Sequence, residues 1–194
     1  MRLIIISLVM FLWSCGSQQP VPVDRYYRLP EINPASVQQV SLSDGVIYVS
    51  VFETDGLHRE RALIYSDSRE GLELKQYHYH HWIDSPTRMI RDHLVEFLRA
   101  ASAAPTIVSS VDPYPQIEIR GKIKRFDQIK NGSGTEVIVV LELRADKEGR
   151  LVHIGDYILT EKVPGDTFPE SIAAFNRALI NCFTQFVNDV KTAL

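Results

Sequence analysis

The stretch from Ile117 to Lys162 constrains this chain more than any other. Ile117, Ile119, Gly121 and Ile123 alternate with Glu118, Arg120, Lys122 and Lys124, the period-two pattern of a strand with one face buried and one wet. Lys130-Asn131-Gly132-Ser133-Gly134 then turns the chain into a second strand, Thr135 to Ala145, with Val137, Val139, Leu141 and Leu143 on one face. Asp146-Lys147-Glu148-Gly149-Arg150 turns it again into a third, Leu151 to Lys162. Three consecutive strands joined by short polar turns read as an antiparallel meander, and its apolar face must be covered by a second layer. The cover lies at the C-terminus. Between Ser171 and Val190, residues Ile172, Phe175, Leu179, Cys182, Phe183, Phe186, Val187 and Val190 form a broad apolar helical stripe.

The first half of the chain supplies shorter elements of the same two kinds. Val23 to Leu29 is extended before Pro30 and Pro34 interrupt it, and Val46 to Phe52 is β-branched and aromatic. Arg61 to Tyr65 and Glu73 to Tyr79 flank a polar Ser66–Gly71 turn and read as a hairpin, so four short strands precede any helix. Asp84-Ser85-Pro86 opens a helix with a capping residue and a proline at the first helical position, and Ile90, Leu94, Phe97, Leu98 and Ala101 recur at helical spacing. That helix ends before Pro105, and a strand from Thr106 to Ser109 follows. The expected fold class is α+β: a two-layer sandwich, mainly antiparallel sheet, with two helices on one face.

The N-terminus obeys different rules. Met1-Arg2 is followed by a nearly unbroken apolar run from Leu3 to Trp13, which as a helix reaches about 16 Å, half the hydrocarbon thickness of a bilayer. It reads as a cleaved leader and not as a membrane span. Leu12-Trp13-Ser14-Cys15 resembles the bacterial lipobox, with Leu12 and Ser14 in pattern and Trp13 bulkier than usual. The resemblance implies that Cys15 is acylated and becomes the new N-terminus, and multiple acyl chains anchor stably where one is marginal. Gly16-Ser17-Gln18-Gln19-Pro20 then reads as a flexible tether. The expected organisation is a signal peptide over 1–14, a lipidated tether over 15–23 and a single domain over 24–194. Lipoproteins similar to this one are commonly kept at the inner membrane by an Asp after the cysteine. Gly16 stands there, which favours the outer membrane with the domain facing the periplasm.

Composition closes off several classes. With 45% hydrophobic and 23% charged residues, the 194-residue chain is globular in character, not disordered. A net charge of −3 offers no positive field for nucleic acid. Cys182 is the only cysteine besides Cys15, so no intramolecular disulfide forms once Cys15 is acylated. On its apolar stripe Cys182 reads as a buried, inert thiol.

Candidate chemistry is sparse. His78 and His80 would share one face of a strand, with His81 adjacent, but two imidazoles without a third ligand at suitable spacing do not make a site. No metal and no cofactor is expected. His58, His93 and His153 are isolated in the sequence. No Gly-x-Ser-x-Gly nucleophile elbow and no Ser-His-Asp arrangement surrounds Ser85 or Ser133, and no phosphate-binding glycine loop is present, so any ATPase is another polypeptide. Arg120, Lys122, Lys124 and Arg125 make a short basic stripe, read as the solubilising face of a sheet. Asn131-Gly132-Ser133 reads as a turn.

Asp24-Arg25-Tyr26-Tyr27-Arg28-Leu29, directly after the tether, resembles the opening "YYxL" of the ABC-type transport auxiliary lipoproteins, the PqiC-like family. Val46 to Val51, Arg61-Ala62-Leu63-Ile64-Tyr65-Ser66, Leu74 to Tyr79 ending in Trp82, and Pro86 at a helix start are similar to that family's elements in the same order. Trp82-Ile83-Asp84-Ser85-Pro86 departs from its usual Trp-Ala-Glu/Asp-Pro. The resemblance implies a non-enzymatic, lipid-anchored periplasmic component. Such a component serves an MCE-domain protein, a permease and a separate ATPase that move phospholipid or another hydrophobic molecule between the membranes. It also implies a ring-like homo-oligomer at the outer membrane. Arg61, Tyr65, Trp82 and Pro86 occupy recurring family positions and are read as architectural, leaving Cys15 as the one residue with assigned chemistry, its lipidation. A second class stays open: an envelope-integrity or assembly lipoprotein that binds protein or peptidoglycan without lipid cargo. A periplasmic hydrolase is the third, disfavoured by the missing nucleophile motif.

Overall fold

A computed structural model of the protein describes residues 21–110, 114–132 and 134–194; the leader, Cys15 and Ser133 lie outside them. Three long antiparallel strands form the spine, β7 (Ile117–Asn131), β8 (Gly134–Lys147) and β9 (Arg150–Lys162). The β8–β9 turn is tighter than its five polar residues suggest. Glu148 and Gly149 both have positive φ (50° and 77°) between the paired Lys147 and Arg150, the backbone that a two-residue hairpin turn requires.

The remaining strands are β1 (Arg25–Tyr27), β2 (Val46–Val49), β3 (Glu53–Thr54), β4 (Ala62–Ser66), β5 (Lys75–Trp82) and β6 (Thr106–Val108). Along the edge of β7 away from β8, β2, β3 and β4 lie end to end, each parallel to β7 over two or three residues. Outside them, β6 pairs with β2, β5 with β4 in the expected hairpin, and β1 with β5. The sheet is thus mixed, antiparallel through its long strands and parallel where short ones join. Five strands, not four, precede the first α-helix, because β2 ends at Val49, Glu53–Thr54 pair separately as β3, and a one-turn 3-10 helix (Gly56–Arg59) carries the chain on to β4.

Helices α1 (Pro86–Ala100) and α2 (Phe168–Ala193) cover one face. They meet each other through Phe97 and Phe183, with ring centroids 5.6 Å apart. Pro86 stands at the start of α1 as expected, with Ser85 as its cap. A capping box opens α2, with Thr167 accepting from the Glu170 backbone N–H and Glu170 Oε2 accepting in return from that of Thr167. The core joins Ile117, Ile119, Ile123 and Phe126 of β7 and Val137, Val139, Leu141 and Leu143 of β8 to Ile90, Leu94 and Leu98 of α1 and Phe175, Leu179, Phe183 and Phe186 of α2. Each such side chain contributes roughly 1.5–3 kcal/mol on burial. Leu29, Ile32, Val37, Val40 and Leu42, from the proline-interrupted segment, join this core. Strict alternation in β7 stops at Lys124, where a bulge shifts the register so that Phe126 returns to the buried face.

Candidate functional site at the tether-side edge

β1 follows directly on the 15–23 segment and pairs in parallel with the end of β5: Arg25 opposite His80, Tyr26 opposite His81, Tyr27 opposite Trp82. On the helix-bearing side of this edge stands a column of rings. His80 stacks on Phe168 (centroids 3.6 Å), Phe168 meets Tyr77 edge-on (4.9 Å), and Tyr77 packs on Tyr65 (4.5 Å). Tyr27 also lies on Phe168, and its Oη is 2.8 Å from His80 Nδ1. Lys130 Nζ sits 5.1 Å from the Tyr77 ring centre, and the Tyr77 hydroxyl donates to Gln128 Oε1 (2.6 Å). Burial is the main cause that moves the His80 imidazole below its ordinary value, with Arg25, His81 and Lys130 adding to it, and burial likewise raises the Tyr77 phenol. The column is a packed joint between sheet and helix.

On the opposite side, Tyr26 and His81 are in ring contact (5.5 Å). The Arg61 guanidinium lies 5.3 Å from the centre of the Tyr26 ring. Asp24 approaches His81 (3.5 Å). Arg61 Nε also donates to the Trp82 carbonyl (3.1 Å), while the Trp82 N–H donates to the Arg61 carbonyl (2.6 Å). Trp82 itself is buried between Phe126 (5.1 Å) and Phe175 (5.5 Å). Of the four recurring family positions, Trp82 and Pro86 are buried, Tyr65 is half-buried in the ring column, and Arg61 is exposed.

The histidines separate. His80 turns into the ring column, whereas His78 is exposed beside Tyr79, because the irregular β4–β5 pairing inserts extra residues in β5. His58, His93 and His153, isolated in sequence, each gain a polar neighbour from distant chain. His58 is buried with Nε2 3.6 Å from the fully buried Asp127, whose carboxylate Arg125 holds at 2.7 Å. His93 Nε2 donates to Asn176 Oδ1 (2.7 Å). His153 lies 2.8 Å from the Tyr157 hydroxyl, which donates to Asp189 (2.8 Å). Among the described residues, no three His, Cys, Asp or Glu side chains converge as a metal-ligand set. Cys182 is buried, and burial pushes its thiol up to about 12.

The basic stripe on the helix-free face is neutralised in place. Arg120 pairs with Glu118 (2.7 Å), Lys122 with Asp55 (2.9 Å), and Lys124 with Asp156 (2.6 Å) and Glu142 (2.8 Å). Arg144, directly across from Arg120, binds Asp146 (2.6 Å). The site residue that sequence patterning missed is Phe168, which lies just before the apolar stripe. Its signal is Thr167-Phe168-Pro169-Glu170, a capping box with proline in the first helical turn.

Fold and edge together define the class, an α+β module whose first strand issues from the N-terminal segment and whose ring-lined margin lies beside that junction. Among the described residues no helix is long and apolar enough to cross a membrane. The sequence model of the ABC-type transport auxiliary lipoprotein component family matches residues 27–186, and the chain belongs to that family. A Xanthomonas campestris protein of the DUF330 family has a similar crystal structure: TM-score 0.72, 15% identity, covering 84% of this chain and 92% of that one. An uncharacterized protein of known structure is also similar, with TM-score 0.70 and 13% identity over 87% of this chain and 99% of that one. At these identities the likeness is one of fold. No curated protein matches the chain.

Proposed function

We propose that this protein is a non-enzymatic adaptor held on the periplasmic face of the outer membrane through acylated Cys15. In this reading 1–14 is the leader, 15–23 the lipidated tether and 24–194 one folded unit. It serves an MCE-type ABC transport system, an MCE-domain protein with a permease and a separate ATPase, that moves phospholipid or another hydrophobic molecule between the membranes. The observation that carries this reading is the match to auxiliary lipoproteins of ABC-type transport over residues 27–186.

Two structural features support it. His80, His93 and His153 and the cations of the basic stripe have polar partners within the fold, which suits a scaffold. Among the described residues β9 pairs only with β8, leaving its other edge, 13 residues long, as a template for an added strand from a second copy or from the MCE partner. A ring-like homo-oligomer fits such an edge.

Affinity purification of the anchored protein from its own host, with mass spectrometry of proteins and lipids, tests the reading. Recovery of an MCE protein with its permease is the expected outcome. A Cys15→Ala form folds but leaves the membrane fraction. Recovery of other envelope proteins alone would reduce the family likeness to one of fold.

A further inference from the structure

We infer that the β1–β5 edge rests directly on the lipid headgroups, so that the module is seated on the leaflet and does not merely hang from it. This rests on the lipid-anchored reading of Cys15. Exposed apolar side chains are not scattered evenly over the molecule. Of the twelve exposed large hydrophobic residues among the described residues, five gather here: Val21 (83% exposed), Val23 (74%), Tyr26 (53%), Ile83 (47%) and Tyr79 (45%). Tyr26 and Ile83 lie on the side of the edge away from the helices, and Ile83 is tied to β1 by its N–H to the Tyr27 carbonyl (2.7 Å). Tyr79 is exposed at the irregular part of β5.

Three arginines frame these side chains, Arg25, Arg28 and Arg61, against two carboxylates, Asp24 and Asp84. Tyrosines mixed with aliphatic side chains and guanidinium groups form the composition that partitions into the boundary between headgroups and acyl chains. The opposite end of the β4–β5 hairpin carries the isolated exposed Leu72.

Chain length selects the occupant. Nine residues run from Cys15 to Val23. Fully extended they reach about 30 Å, and as a flexible coil they span about 17 Å on average. With the acyl chains in the leaflet, β1 therefore stays within about 30 Å of the headgroups at all times. The patch begins at the residue where the tether ends, so the surface it meets most often is the bilayer.

The test uses the full, processed protein in vesicles of phosphatidylethanolamine with a minority of phosphatidylglycerol. Nitroxide labels are placed at Tyr79→Cys, Ile83→Cys and, as a reference, Leu72→Cys. Buried Cys182 leaves the new thiol as the labelled one. Collision with lipid-dissolved oxygen and with an aqueous nickel chelate reads the depth of each label. The expected result is loss of nickel collisions and gain of oxygen collisions at 79 and 83, with 72 open to nickel. Labels at 79 and 83 as open to nickel as 72, on protein that still floats with the vesicles, would overturn the seating and leave the anchor standing. Protection from both reagents would also overturn it, marking a protein neighbour, either a second copy or the transport partner. Protein that does not float, with an unmodified Cys15 by mass spectrometry, would refute the anchor reading itself. Val23→Cys repeats the measurement outside regular structure, where a label cannot disturb strand pairing.

Discussion

Gly121 lies on the buried face of β7, and a β-carbon there would stand 2.5, 2.6 and 2.7 Å from Cζ, Cε2 and Cδ2 of Phe52. Two effects of Gly121→Ala oppose each other. Restricting the unfolded chain stabilises by about 0.4–1 kcal/mol where the backbone tolerates alanine. Forcing a methyl group into a filled core costs about 1–3 kcal/mol. Phe52 is only 2% exposed and packed in the main core, so its ring cannot swing into solvent and the steric cost prevails. The expected net loss is about 1–2 kcal/mol, or about 2–8 °C in Tm for a chain of this size. Urea unfolding of the processed protein, followed through Trp82 fluorescence, measures it, since the only other tryptophan is Trp13 of the leader. Phe52→Ala deletes all three of these ring atoms and supplies the control. In that background Gly121→Ala should be neutral or stabilising, a coupling of at least about 1 kcal/mol. An unchanged or higher midpoint for Gly121→Ala alone, or an equal loss in both backgrounds, would refute the close-approach argument.

Other substitutions probe the remaining joints. Burial, opposed by the Asn176 bond, holds the His93 imidazole below its ordinary 6.5. The folded state then binds fewer protons than the unfolded one, so stability is complete above 6.5 and is lost as pH falls through the folded value. Urea midpoints should rise between about pH 5 and 7, and His93→Gln should flatten that slope; a flat wild-type profile would count against it. His80, also lowered, adds in the same direction. Asp146, held low by the Arg144 bond, gives up its contribution only in the carboxylate range. Trp82→Ala should cost about 3–5 kcal/mol by emptying the space between Phe126 and Phe175, read as a large fall in the melting temperature by circular dichroism. Thr167→Ala, which removes the side-chain half of the α2 capping box, should cost about 1 kcal/mol, and Thr167→Ser should restore it.

Local structure was legible because side-chain periodicity is a local property. Ile117 to Ile123 and Val137 to Leu143 alternate because neighbouring strand residues point to opposite faces, and the C-terminal stripe repeats at helical spacing. These patterns announced the meander, both helices and the helix-covered face. The bulge in β7 between Ile123 and Arg125 was not legible in the pattern and emerged only in the pairing with β8. The candidate edge was legible in part: Tyr26 and Tyr27 marked β1, and His78, His80 and Trp82 marked β5.

Register and partnership were decided by the folded whole. Each of β2, β3 and β4 meets β7 over only two or three residues, too few for any sequence pattern to specify, and their place follows from filling one edge beneath α1. His58 finds Asp127 69 residues away, and His93 finds Asn176 83 residues away. Phe168 reaches His80 because α2 begins above β5. Sequence by itself determined which faces are apolar and where the chain must turn, since each depends on neighbours along the chain. The tertiary structure alone decided which polar groups meet and where exposed tyrosines gather, because those contacts form only when distant segments share one core.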